Sequence, residues 1–204
     1  MEILTLSRPA QAQCIIKKSR FIGEALPCSS EEEAQTMLKE IKKREEGANH
    51  YCWGYVLGLS GEQARYHDDG EPRGTAGLPI LDVIRKKGLT RTLVVVTRYF
   101  GGIKLGAGGL VRAYTEAAAA ALDRAGSHIL KEMFLCRINI PYSSHDALER
   151  YLSETQRIIE EHTFSQSVSL TLWIPKEEYS GFSGTVADIS QGKAVLDIIS
   201  QDCR

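Results

Sequence analysis

The chain has 204 residues, 43% of them hydrophobic and 25% charged, with a formal net charge of −1 at pH 7. That length suits one large domain or two small ones, each able to bury a core, and the composition is ordinary for a soluble globular protein. The near-zero balance excludes a uniformly basic nucleic-acid binder, yet residues 1–133 hold 19 Lys/Arg against 16 Asp/Glu while residues 134–204 hold 6 against 10.

In chain order, Gln11 to Lys17 and Phe21 to Leu26 read as short strands, with the cations Lys17, Lys18 and Arg20 between or opening them. Ser30 to Glu33 is a capping box. The helix after it carries acids first (Glu31, Glu32, Glu33), bases last (Lys42, Lys43, Arg44), and a narrow stripe of Met37, Leu38 and Ile41; Gly47 stops it. Tyr51 to Leu59 is a strand, and Ser60-Gly61-Glu62 turns it into a short partner ending near Tyr66. A polar loop, His67 to Gly77, leads to a helical turn at Leu78 to Ile84. Arg85-Lys86-Lys87-Gly88 is then an exposed basic turn.

The stretch from Leu93 to Ala125 organises the chain. Leu93, Val94, Val95 and Val96 have the pattern of a strand buried on both faces. Gly101, Gly102, Gly106, Gly108 and Gly109 follow as a loop able to adopt backbone conformations closed to other residues, and from about Gly109 apolar residues recur at helical spacing. Strand, glycine loop and helix N-terminus together gather backbone N–H groups suited to an anion. Arg98, Lys104 and Arg112 add cations, and Tyr99, Phe100 and Tyr114 interleave aromatic rings that suit stacking on unpaired bases. The competing reading is structural: glycines and alanines also let a helix pack closely on a sheet, and neither a Walker sequence nor Gly-x-Gly-x-x-Gly is present.

A second unit is expected from Phe134, with the boundary between Ala125 and Glu132. Leu135 to Ile140 is a strand, Ser143 with Asp146 caps a helix carrying Leu148, Tyr151 and Leu152, and Ile158 to Phe164 pairs with Val168 to Ile174. Lys176 to Ile189 is a helix weakened by Gly181 and Gly184, and Ala194 to Ile199 closes the chain. This β-α-β-β-α-β order is the ferredoxin-like, split βαβ pattern. The whole reads as α+β, with domains at 1–130 and 134–204 and the helices of the first on one sheet face. The five cysteines, at 14, 28, 52, 136 and 203, form no C-x-x-C pair, which favours reduced thiols. Neither a secretory leader nor an apolar run of roughly 20 residues is visible, so a soluble, cytoplasmic chain away from the membrane is expected.

HDDGEPRGTAGLPIL (67–81) and VVVTRYFGGIKLGAGGLVRAYTEA (94–117) resemble the Impact family, near its bacterial YigZ-type members; KKSRFIG (17–23) and YCWGYVLG (51–58) match as well. The resemblance implies a first domain like elongation factor G domain IV, shared with a ribosomal small-subunit protein domain, and a second like domain V. Eukaryotic members restrain a starvation-activated translation kinase by binding its activator through a further N-terminal domain, which has no counterpart in this sequence. For bacterial members the resemblance implies nucleic-acid or ribosome binding.

The expected function is therefore non-catalytic binding of RNA or the ribosome, modulating translation, with a translation-associated protein as a further partner and no cofactor. Arg20, Arg98, Lys104 and Arg112 would neutralise phosphates, and Gly101, Gly102, Gly106, Gly108 and Gly109 would donate N–H groups. The alternative is a small-molecule enzyme of kinase-like chemistry, with Asp68, Asp69 and Glu71 on Mg²⁺. His50 and Cys52 fall on one side of a strand, compatible with a base and nucleophile, but nothing in the sequence orients the histidine.

Overall fold

The computed structural model describes residues 3–203, which divide between residues 129 and 130 into two compact units. The first contains β1 (Ile3–Leu6), β2 (Ala10–Ile16), β3 (Ser19–Pro27), α1 (Glu31–Arg44), β4 (His50–Leu57), β5 (Gln63–His67), α2 (Gly77–Lys86), β6 (Thr92–Tyr99) and α3 (Ala107–Ala125). At the boundary, β7 (Ser127–Leu130) pairs with β1. The five-stranded sheet runs β2-β3-β6-β4-β5, with every neighbouring pair antiparallel.

Strand β6 sits at its centre because its apolar run has no polar face to offer water. Val94 and Val96 pack with Ala113, Ala117 and Ala121 of α3 and Ile80 of α2, while Leu93 and Val95 pack with Ala34, Leu38 and Ile41 of α1. The expectation of helices on one sheet face is thus corrected: α1 covers one face, and α2 with α3 the other. Ser30 caps α1 as expected, accepting the Glu33 N–H at 3.1 Å, but the Glu33 carboxylate reaches one residue further back, to the Ser29 N–H at 2.7 Å. Helix α3 approaches β3 closely. A Cβ at Gly23 would lie 2.3 Å from the Ala117 carbonyl oxygen, so the small residues of α3 do serve packing.

The second unit comprises β8 (Glu132–Ile140), α4 (Tyr142–Glu154), β9 (Ile159–Phe164), β10 (Val168–Pro175), a 3₁₀ turn at Lys176–Glu178, α5 (Tyr179–Ser190) and β11 (Val195–Cys203). Its antiparallel order β11-β8-β10-β9 is that of a split βαβ unit. Cys136, Ile138, Ile140, Leu170 and Leu172 alternate onto the face covered by Leu148 and Leu152 of α4 and Phe182 and Val186 of α5. The Ser143 cap is corrected. Helix α4 begins earlier, at Tyr142, because Pro141 holds an extended N-cap (φ −61°, ψ 147°), and no side chain caps it. The architecture is α+β in both units, and no helix among the described residues is long and apolar enough to cross a membrane.

Candidate phosphate-binding site

The site is built where three segments of the first unit meet. Strands β2 and β3 are joined by Lys17-Lys18, with Ile16 paired to Ser19 and positive φ at both lysines (45° and 65°). That is the geometry of a two-residue type I′ hairpin, here made by residues that do not favour it. The turn lies directly against the glycine loop: a Cβ at Gly101 would fall 2.1 Å from the Lys18 carbonyl group, so only glycine permits the approach. Gly101 N–H donates to Ser19 Oγ at 3.2 Å, and Phe100 N–H to Asn49 Oδ1 at 2.8 Å. Lys17 and Lys18, a short charge run in the sequence, thereby become neighbours of the loop.

Beyond Gly101 the loop carries exposed Lys104 and turns through positive φ at Gly102 (83°) and Gly106 (72°). Helix α3 starts at Ala107, two residues before the expected point, and its first internal bond runs from Leu110 N–H to Gly106 O at 2.9 Å. The N–H groups of Ala107, Gly108 and Gly109 therefore have no acceptor within the helix. Gly108 has no positive φ, and a Cβ there would meet nothing within 4 Å. Its expected role in close packing or unusual backbone is corrected; it leaves the helix start uncovered. Exposed Arg112 folds back over that turn, its Nε 3.3 Å from the Gly108 carbonyl.

Two of the expected cations lie elsewhere. Arg20 stacks on the Tyr99 ring at 4.1 Å, and Tyr99 bonds to Glu45 at the end of α1, which places Arg20 on the sheet face opposite α3. Arg98 is not a surface cation. It is only 5% exposed, and strand alternation turns it inward beside Phe21. There its Nη1 meets Glu71 Oε1 at 2.5 Å. Tyr114 donates to the same Glu71 oxygen at 2.7 Å, and the Cys52 thiol lies 3.4 Å from the Tyr114 hydroxyl. Of the aromatic rings expected to stack, Tyr114 is core and Tyr99 lies under Arg20, which leaves Phe100, 45% exposed.

Above this buried chain opens a cavity of about 460 Å³, lined among others by His50, Glu71, Arg98, Lys104, Gly106 and Ala107. His50 is oriented after all. Its Nδ1 donates to the Asp69 carbonyl at 2.9 Å, which fixes the ring with Nε2 4.0 Å from Glu71. No sequence spacing foretold that, because the anchor is a backbone oxygen from another strand's loop. Burial pushes the Cys52 thiol up to about 12, which does not suit a nucleophile at neutral pH.

The carboxylates proposed for Mg²⁺ have other partners. Asp68 accepts the N–H groups of Gly74, Ala76 and Gly77 at 2.8, 3.1 and 2.8 Å, and so caps α2, which has no side-chain cap of its own. Asp69 Oδ2 accepts Tyr51 N–H at 2.8 Å, and Glu71 holds Arg98 and Tyr114. Each of the three carboxylates is thus bonded to different donors.

Comparison with known proteins gives this geometry a family. The Impact N-terminal domain model matches residues 17–122, and a domain of unknown function (DUF1949) matches residues 138–193. The IMPACT family member YvyE of Bacillus subtilis is 38% identical over 190 residues, covering 93% of this chain and 88% of the relative. The IMPACT family member YigZ of Escherichia coli is 31% identical over 188 residues, covering 91% and 92%. A crystal structure described as that of a hypothetical protein superimposes with a TM-score of 0.69 at 31% identity, over 98% of both chains. The chain carrying this hairpin, glycine loop and open helix start belongs to the IMPACT family.

Proposed function

We propose that the first unit binds the phosphate backbone of unpaired RNA at the start of α3, and that the protein modulates translation by docking on RNA or the ribosome without catalysing a reaction. The observation that carries the reading is the helix start itself. Three amides without helical acceptors stand at this start, where Ala107 and Gly108 are exposed, beside Lys104 and Arg112, and the Lys17-Lys18 hairpin is held against the same loop. Helix N-termini favour anions, lysine and arginine heads add charge, and exposed Phe100 offers a face for one base. The likeness to elongation factor G domains IV and V implied by the family is consistent with a ribosomal partner and a cytoplasmic site of action.

A second reading, a small phosphorylated molecule, is favoured by the cavity beside Ala107 and by the fixed Nε2 of His50. Fluorescence anisotropy with labelled single-stranded RNA tests the first reading. Lys18→Ala/Lys104→Ala is expected to weaken binding about tenfold across unrelated sequences, since each 1.4 kcal/mol is a factor of ten. Equal affinity in the variant would refute the assigned site. Thermal shift with ATP–Mg²⁺ in place of RNA discriminates the second reading, because a ligand bound only by the native state raises stability.

A further inference from the structure

The second unit carries a cluster that RNA binding does not use. His145 and Glu149 stand one helical turn apart on α4, hence on one face, and His162 comes to them from the edge strand β9. His145 Nε2 lies 3.1 Å from His162 Nε2 and 3.4 Å from Glu149 Oε1. One ligand atom from each residue lies within 4.8 Å of the other two. Around a tetrahedral ion with bonds of about 2.0–2.1 Å, neighbouring ligand atoms stand about 3.3 Å apart, so two of the edges are already near that spacing. The third edge, between Glu149 and His162, lies within 4.8 Å, and the half-exposed Glu149 side chain has a solvent side on which to adjust and close it.

The surroundings fit the same use. Asp146 Oδ1, on a solvent-exposed side chain, lies 3.4 Å from His145 Nδ1, the position from which an outer carboxylate takes the Nδ1–H of a ligating histidine and leaves Nε2 for the ion. Phe164 packs on both imidazoles, at 4.3 Å from His162 and 5.8 Å from His145, and fixes their planes. His145 is buried while Glu149 opens to solvent, giving an ion an entry side and room for water as fourth ligand.

We propose that His145, Glu149 and His162 bind a divalent cation of the zinc type, which ties the edge strand β9 to α4. Two imidazoles and one carboxylate suit zinc, whereas magnesium prefers an all-oxygen shell. The competing account is a metal-free cluster, in which the two imidazoles share a hydrogen bond beside the Glu149 carboxylate.

The full chain, stripped of metal, is titrated with Co²⁺ and Zn²⁺ by visible absorption and calorimetry. The expected result is one equivalent, a four-coordinate cobalt spectrum displaced by Zn²⁺ and not by excess Mg²⁺. His162→Asn and Glu149→Gln, both at accessible positions, are each expected to weaken binding at least tenfold with circular dichroism unchanged, while His128→Asn on the first unit's surface leaves it intact. Absence of saturable binding overturns the proposal, as does equal affinity in both ligand variants.

Discussion

Arg98→Ala tests whether the conspicuous cation beside the glycine loop is structural. Arg98 and Glu71 side chains are 6% and 4% exposed, and the variant leaves a buried carboxylate with the Tyr114 hydroxyl at 2.7 Å and His50 Nε2 at 4.0 Å in place of its guanidinium. Removing one member of a buried ion pair costs about 3–5 kcal/mol. A domain holds only about 5–15 kcal/mol in all, so a fifth or more of the stability is at stake. For a unit of this size the melting temperature is expected to fall by roughly 10–20 °C. Replacing both members, Arg98→Met with Glu71→Leu, removes the stranded charge and is expected to cost only about 1–2 kcal/mol, mainly for the unpaired Tyr114 hydroxyl. Urea unfolding followed by far-ultraviolet circular dichroism measures all three proteins. A single variant losing under about 1 kcal/mol, or a double variant worse than the single, would refute the buried-pair argument.

Other outcomes follow from the same structure. Gly101→Ala drives a Cβ into the Lys18 carbonyl and is expected to cost about 1–3 kcal/mol, whereas Gly108→Ala meets open space and is expected to be neutral or stabilising, as thermal melts would show. The Cys52 pKa is raised from 9.0 to about 12, so its contribution is fully present below pH 9 and lost as pH rises toward the folded value. At pH 10 that loss is about 1.4 kcal/mol, and urea midpoints for Cys52→Ala should therefore fall less steeply with alkaline pH than those of the wild type. Residues 1–130 and 134–204 are proposed to fold independently; limited trypsin digestion should cut at Lys131 and leave two resistant fragments, and progressive loss without such fragments would contradict this.

Features carried by local pattern were legible in the sequence. The run Leu93 to Val96 announced a strand covered on both faces, although the placement of α1 opposite α2 and α3 was missed. The Ser30 cap and the β-α-β-β-α-β order of the second unit were equally visible, because each depends on near neighbours. What escaped was set by distant partners. Period-two alternation places Arg98 on the face of Val94 and Val96, but its partner Glu71 lies 27 residues away, and no spacing rule joins them. The same holds for Gly101 against Lys18 and for the Asp69 carbonyl that orients His50. Strands β1 and β7 are four residues each and hold one another across the unit, too short for periodicity to mark them. The i, i+4 pair His145 and Glu149 was open to inspection, but His162 joins it only through the fold.

The salt dependence of RNA affinity tests the central claim most directly. Binding that neutralises phosphates releases counterions, and log affinity falls with log salt by about 0.7 per phosphate on a single strand. Contacts from Lys18, Lys104 and Arg112 with one phosphate each predict a slope of roughly −2. Lys18→Ala/Lys104→Ala should bring it to about −0.7, with circular dichroism unchanged, since both side chains are exposed and support no core. A slope near zero in the wild type, or the same slope in the variant, would contradict phosphate binding at the start of α3.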